Sequence, residues 1–350
     1  HDDHNPQKTQ KLIERALTGQ DVDSPSRCRL LCALVDEVRG EEDDRAMEAA
    51  EEAYTLAHTL DDPEVLGLAV NALWNLVPAD LEPERRMQLS QELIELGTAH
   101  EMPVFSMVGR HGAFLVDAAQ QRFSSMRTHL DIETELAEKY SWQQSLATCR
   151  LSRGMLAHAA RDIDGAHRHF DVGGAALRSS LAVNADAIES LAYVTTAVTT
   201  RTLGNVEPGL LQLYATYPDI ACELLALALV ERGATDEARS VRRPAGRIRR
   251  DFFESLFLTL RGMALLETGQ IGEASAVYSA LAPFSGQLAG MATGTYVIGP
   301  VDTVLARLAT ALGDDTTARR HRENALELAH VWGNPYWIDA ATRKPQEHSK

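Results

Sequence analysis

Several groups of side chains in the 350-residue sequence have types and spacings that suit chemistry. His158, His167 and His169 flank Asp162 and Asp164 around an expected helix–turn–helix connection, and imidazoles beside carboxylates suit Zn or Ni. His167 and His169 are two residues apart, however, so on a helix they point to different sides. Solvated or partly packed histidines are therefore expected. Cys28 and Cys32 share a helix face with no further Cys or His at ligand spacing. A zinc site wants four ligands, so buried apolar thiols are the better reading. The paired acids Glu41–Asp44, Asp61–Asp62 and Asp314–Asp315 stand where helices should begin. There carboxylates favour the positive end of the helix dipole, and nothing singles out two of them as acid and base. The sequence has no Gly-x-Ser-x-Gly elbow and no Gly-x-x-x-x-Gly-Lys-Ser/Thr loop. No catalytic residue, no metal and no cofactor are expected.

The elements that would position any site are helices. Val, Ile and Thr rarely alternate with polar residues, whereas Ala, Leu, Glu and Arg recur at helical spacing. Ala46, Ala50, Ala53, Ala57 and Leu60 place small apolar groups on one face, as do Val301, Val304, Leu305, Leu308 and Leu312. Asp61-Asp62-Pro63, Glu101-Met102-Pro103, Tyr217-Pro218-Asp219 and Gly333-Asn334-Pro335 each end one helix and start the next, because Pro fits a first turn and not an interior. The fold class is all-α.

The helices repeat. A turn residue is followed, about five positions on, by a small residue that opens the next packing face: Gly269 leads to Ala274 and Tyr278, Gly313 to Ala318 and Ala325, Gly233 to Ala238, Arg161 to Ala166 and Phe170, and Gly204 to Gly209 and Leu213. Gly caps a helix in the left-handed conformation. A small side chain then lets the partner helix cross closely. With Gly40, Asp80 and Gln121 added, the anchors are spaced 29 to 44 residues apart, which brackets the tetratricopeptide length of about 34. The expectation is a right-handed superhelical solenoid of about eight degenerate helix pairs over residues 1–342. A subdivision is expected near 235–250, a long Gly/Pro loop over Ala282–Pro300, and a disordered tail over 343–350.

In such an array the first helix of each pair lines an inner groove that holds peptides or ligands. The residues there that do not fit the apolar stripe are Asn71, Trp74, Asn75, Arg110, His111, Arg150, Arg153 and Tyr193, with Trp74 fitting the core equally well. A lone guanidinium is costly to bury, so the arginines imply an acidic or carboxylate-bearing ligand. A second candidate is the basic stretch containing Arg239, Arg242, Arg243, Arg247, Arg249 and Arg250. It is either a solvated connector or a patch for an anionic partner, with an acidic protein ahead of nucleic acid.

The segment from Phe252 to Arg343 carries a recognisable pattern: Leu266-Glu267-Thr268-Gly269, Ala274–Tyr278, Leu281–Gly286, Gly299-Pro300-Val301, Ala311-Leu312-Gly313, and Ala329 followed by Gly333-Asn334-Pro335-Tyr336-Trp337. Gly109-Arg110, Ser141-Trp142, Arg150 and Arg153–Ala157 extend it upstream. This resembles the C-terminal tetratricopeptide-like repeat region of large actinobacterial signalling proteins: the large ATP-binding LuxR-type regulators, the antibiotic-regulatory-protein relatives, and adenylate cyclases with a similar ATPase. The resemblance implies a repeat region that regulates an ATPase and, through it, transcription or cyclic-nucleotide synthesis. The nucleotide-binding loop and the helix-turn-helix of that family are not in this sequence.

Composition narrows the partners. The chain holds 34 Lys+Arg against 50 Asp+Glu, a formal charge of −16, which argues against direct nucleic-acid contact. The asymmetry is strong: residues 1–175 carry 31 acids and 17 bases, residues 176–350 carry 19 and 17. The apolar run Ile220–Val230 is interrupted by Glu223, so no membrane contact is expected. Four cysteines do not make a disulfide framework, and a cytoplasmic location follows as the expectation. The chain starts without Met or a signal-peptide pattern, which reads as a piece of a longer polypeptide. The sequence thus predicts a non-catalytic sensor or interaction domain that binds a protein, a peptide or a small effector. A stand-alone adaptor is the alternative, an enzyme with a pocket inside the helices is a further one, and homo-oligomerisation stays open.

Overall fold

The computed structural model describes residues 6–19, 23–182, 184–216, 218–242 and 248–343. Among them the chain is all-α apart from one two-residue antiparallel strand pair. It divides into two compact units, residues 1–117 with 121–136, and residues 118–120 with 137–350.

The first unit contains α1 (Pro6–Leu17), α2 (Ser24–Val38), α3 (Asp43–Ala57), α4 (Pro63–Trp74), α5 (Pro83–Ala99), and most of α6 (Pro103–Ala119) and α7 (Phe123–Lys139). The alanine face of α3 is its packing surface. Ala46, Ala50, Ala53 and Ala57 are fully buried, between α2 and α4. Cys28 is buried as expected, its Sγ directed at the Ala53 carbonyl oxygen 3.4 Å away. Burial pushes the Cys28 thiol upward and the Cys32 thiol to about 12, so both are kept protonated as small hydrophobes. Asp62 caps α4, accepting from the backbone N–H groups of Glu64 and Val65 at 3.1 Å, with Pro63 in the first turn.

The second unit follows with α8 (Gln143–Ala159), α9 (Ile163–Ser179), α10 (Ala185–Thr200), α11 (Glu207–Thr216), α12 (Pro218–Glu231), α13 (Thr235–Val241), α14 (Glu254–Thr268), α15 (Ala274–Leu281), β1 (Leu288–Ala289), β2 (Gly299–Pro300), α16 (Val301–Ala311), α17 (Asp315–Trp332) and α18 (Pro335–Thr342). Here α12, α13 and α14, which flank residues 235–250, pack together within one unit. Residues 344–350, the expected tail, lie outside the described residues together with Arg243 and Arg247.

The period is more regular than the glycines suggested. Helices α3 to α9 start at residues 43, 63, 83, 103, 123, 143 and 163, each twenty after the last. Glu101, Gln121, Ser141, Arg161, Leu181 and Arg201 take positive φ, again at steps of twenty. Each is followed by an N–H that reaches back to a carbonyl five residues earlier, as in Asp162 N–H to Ala157 O at 2.8 Å and Trp142 N–H to Ala137 O at 2.9 Å. This closure satisfies carbonyls that a helix end would otherwise leave bare. Farther on the same position is held by Gly233, Gly269, Gly313 and Gly333. Two expected anchors move: the turn assigned to Gly204 is made by Arg201, and Asp80 does not take positive φ.

Five of the small residues expected to open a packing face are buried, whereas Gly209 is exposed with open space around it. Ala166, Ala238, Ala274, Ala318 and Ala325 are all 2 % exposed or less. Phe170 is fully buried against Gly154, where an added Cβ would overlap the ring.

The Gly/Pro segment after α15 is not a solvent loop. Residues 288–302 are buried except for Thr293. The apolar Tyr296-Val297-Ile298 drives this segment into the core, and its polar backbone groups find partners there. Ile298 N–H donates to Ala289 O at 3.2 Å and Val301 N–H to Gln287 O at 3.0 Å. Gly290 N–H donates to Ser255 Oγ at 3.3 Å, Thr199 Oγ1 donates to Ile298 O at 3.4 Å, and Tyr296 Oη donates to Ile188 O at 3.1 Å. The segment thus covers α10. The chain end returns to the same region: α18 packs on α10, and Asn334 Nδ2 donates to Ala159 O at 3.1 Å, capping α8.

His158 sits at this junction, fully buried, its Nε2 2.9 Å from Thr199 Oγ1. Burial, with the neighbouring His167 adding to it, pushes its pKa down to about 3. The unfolded chain, with an ordinary histidine near 6.5, therefore binds the proton more readily. Stability is full above pH 6.5 and falls as pH drops toward 3, by about 2 kcal/mol at pH 5 from this group alone. Urea unfolding at pH 8 and pH 5 should show that loss, and His158→Asn should reduce it. Equal pH dependence in the two proteins would contradict the assignment.

Candidate functional site

On α4, Trp74 is a core side chain. Its Nε1 donates to Ser90 Oγ at 3.0 Å, and the Arg86 guanidinium lies over its ring at 3.5 Å. Arg86 is itself buried, donates to Val77 O at 2.9 Å, and has its pKa pushed down by burial to about 9, with the Asp80 charge opposing. Gly112 of α6 fits under this plate, since a Cβ there would overlap Trp74 Nε1 and Ser90 Oγ. Asn75 Nδ2 donates to the backbone carbonyl of Asn71 at 2.9 Å, which finishes the helix, and both residues are half-buried.

Arg110 and His111 are half-buried on α6 and face α7. Arg110 Nη1 lies 3.3 Å from His129 Nδ1, and His129 Nε2 lies 3.8 Å from Asp117 Oδ2, which also accepts on Oδ1 from Arg122 Nε at 2.7 Å. His111 Nδ1 is 3.2 Å from the Glu133 carboxylate. Asp117 and Glu133 are almost fully buried, which places two carboxylates beside Arg110 and His111. Burial lowers the proton affinity of Arg110 and of His129.

In the second unit Arg150 is exposed and Arg153 half-buried on α8. Tyr193 does not join them. Its hydroxyl donates to Asp171, and its ring packs on His167 at 4.6 Å and Phe170 at 6.0 Å, all on α9. Burial, then the Asp171 contact, push the Tyr193 hydroxyl upward, so it holds its proton. What joins Arg150 and Arg153 is Arg168 and His169 of α9. The charges of those three arginines, after burial, depress the His169 pKa.

One member of the second expected patch turns inward. Arg242 is buried and donates to Glu223 through Nε at 2.7 Å, and to Gln270 at 3.0 Å. Arg261 Nε reaches the other oxygen of Glu223 at 3.3 Å. Arg242 is therefore an internal strut between α12, α13 and α14, not a surface cation. Arg239 donates to Thr268 O and to Asp236, both at 2.8 Å. Arg249 and Arg250 are exposed.

One relay was not legible in the sequence. Asp302, fully buried at the start of α16, accepts from His321 Nδ1 at 2.6 Å, Ser285 Oγ at 2.8 Å, Asn324 Nδ2 at 3.3 Å and Gly286 N–H at 2.5 Å. His321 Nε2 is 3.0 Å from the Tyr278 hydroxyl. The Asp–His–Tyr order has the form of an acid–base relay. Asp302 nonetheless uses both oxygens to clamp the entry of the buried segment, which makes this an anchor first. Elsewhere, α2 and α3 border an open depression of about 480 Å³ lined by Arg27, Glu51, Glu52, Thr55, Leu56 and Thr59.

Among the described residues no group of three or more His, Cys, Asp or Glu side chains is arranged to hold a metal, and no helix is long and apolar enough to cross a membrane. No family model and no curated protein matches the chain.

Proposed function

We propose that the chain is a non-catalytic helical-repeat domain that binds a protein, a peptide or a small effector on the first helices of its pairs. The observation that carries this is the strict twenty-residue recurrence of helices α3 to α9. It gives a forty-residue helix pair, so α4, α6, α8 and α10 present equivalent positions. Arg110 and Arg150 occupy the same register, and neither is spent on the hydrophobic core. Repeats of this kind bury a core only between neighbours and leave one face of each pair free for a ligand. Each unit is read as a stack of solenoid-type pairs, of tetratricopeptide character. The resemblance to actinobacterial regulators would make the domain a sensor attached to a signalling ATPase, in the cytoplasm. The stand-alone adaptor is the same surface without a small ligand.

The test is a thermal-shift screen of small metabolites and candidate protein partners. A true effector at 100 times its Kd adds about 2.7 kcal/mol of stability, and that gain should shrink in Arg110→Ala. The Asp302–His321–Tyr278 relay favours an enzyme as the second reading. Turnover of a screened compound, abolished by His321→Ala in a folded protein, would replace the binding proposal.

A further inference from the structure

Helices α8 and α9 form the most closely fitted pair in the second unit. Gly154 receives the Phe170 ring, and Gly173 lies against Leu151 and the Ala147 carbonyl. That fit fixes the relative position of the side chains along the pair's open edge. Arg150 and Arg168 are exposed there, and Arg153 and His169 half-buried. Neither Arg150 nor Arg168 makes an ion pair among the described residues. Three carboxylates of this region are engaged elsewhere: Asp162 accepts the Gly165 N–H at 2.8 Å as the cap of α9, Asp171 accepts from Tyr193, and Glu189 pairs with Arg178. Asp164, exposed, lies four residues before Arg168 on α9. In a half of the chain with 31 acids and 17 bases, this edge is a cationic island.

We propose that Arg150, Arg153, Arg168 and His169 form a docking site for an acidic peptide segment of a partner protein. The inference deepens the binding function proposed above and rests on it. The cations are spread over two helices, Arg150 and Arg153 being separated by about 4.5 Å along the α8 axis at 1.5 Å per residue. The two exposed guanidiniums, Arg150 on α8 and Arg168 on α9, match successive carboxylates of an extended segment, each able to take a two-pronged bond. A single phosphate would instead call for donors converging on one point.

The site carries its own pH signature. The charged groups acting on His169 are Arg150 and Arg153 from α8, Arg168 beside it, and Asp162 at the head of its own helix. Part burial and the three like charges hold the imidazole neutral below its ordinary range. A bound carboxylate row cancels those charges, so His169 takes up a proton on binding. Affinity then rises as pH falls, by at most tenfold per pH unit for one proton.

The experiment is fluorescence anisotropy of the whole chain with a labelled Glu/Asp peptide of about ten residues, long enough to engage several cations at once. The expected result is binding that weakens between 50 and 300 mM salt, as a Debye length near 10 Å at 0.1 M requires (~10 Å). It should tighten about threefold or more from pH 8 to pH 6, lose that pH dependence in His169→Gln, and fall about tenfold in Arg150→Ala/Arg168→Ala. Arg249→Ala/Arg250→Ala, at exposed arginines elsewhere, should leave it unchanged. The proposal is overturned if the peptide does not bind, if the α8–α9 variants bind it as well as the parent, or if inorganic phosphate competes at equal concentration of charge. Partners found by thermal shift are tested on the same variants. Stabilisation that persists in Arg150→Ala/Arg168→Ala overturns this site while leaving the wider binding function standing, whereas absence of any stabilising partner removes both.

Discussion

Replacing Asp302 by Ala lowers stability by about 3–5 kcal/mol, the cost of breaking a buried charged network from one side. Four donors converge on this carboxylate, from Ser285, the Gly286 N–H, His321 and Asn324; His321 is buried, Ser285 and Asn324 are half-buried, and Gly286 is exposed. Alanine leaves all four without their acceptor, and a buried donor without an acceptor costs about 1–3 kcal/mol. Asp302→Asn keeps the shape but turns two acceptor oxygens into one and a donor, so about half the loss is expected. Urea unfolding measures both. Because the clamp holds the entry of the buried segment, amide exchange over residues 285–301 should accelerate more than exchange in α8. A loss below about 1 kcal/mol would mean that Asp302 is a spectator.

Glu223→Ala has an effect of the same size for a different reason. Glu223 lies on the apolar helix α12 and is the shared carboxylate of Arg242 and Arg261, whose side chains are 3 % and 11 % exposed. Removing it strands two guanidinium groups in a low-dielectric site, at about 3–5 kcal/mol. Replacing all three by Met, which restores apolar packing without the charges, should recover most of that loss. If the triple variant is as unstable as Glu223→Ala, the charges do not set the cost and the packing of α12 against α14 does.

Glu223 also marks what the sequence could and could not say. It is visible as an interruption of the run Ile220–Val230. An acid inside a buried apolar helix demands a cation, and Arg242 is nineteen residues away, but spacing alone does not reveal which arginine turns inward. Arg242 therefore read as a surface charge. The period shows the same mixture. Some helix ends carry Gly or a Pro break that is easy to see, while Ser141 and Leu181 take the left-handed turn with neither. For L-residues that conformation costs about 1–2 kcal/mol, and it is tolerated because the carbonyl closures that follow it repay the strain. The expected turn spacing of 29 to 44 residues brackets two twenty-residue steps, but the step itself was not legible.

The burial of the Ala282–Pro300 loop was not legible for a related reason. Its glycines and prolines signal irregular backbone correctly, but irregular backbone does not have to be exposed. Tyr296, Val297 and Ile298 outweigh the turn residues once Ser255 and Thr199 pair with its backbone groups. Of the candidate site, Arg150 and Arg153 stand on an open edge, and their companions Arg168 and His169 belong to the next helix, where only the antiparallel pairing brings them near. Tyr193 shared their register but turned to Asp171.

The central claim is that recognition uses the first helices of the pairs. Hydrogen–deuterium exchange, with and without the compound or protein that most raises the unfolding temperature, tests it most directly. The account predicts protection concentrated on α4, α6 and α8 within their own units, with α9 protected only beside α8 around Arg168 and His169, and α3, α5 and the 288–302 segment unchanged. Protection confined to α3 and α5, or to residues 288–302, would contradict it.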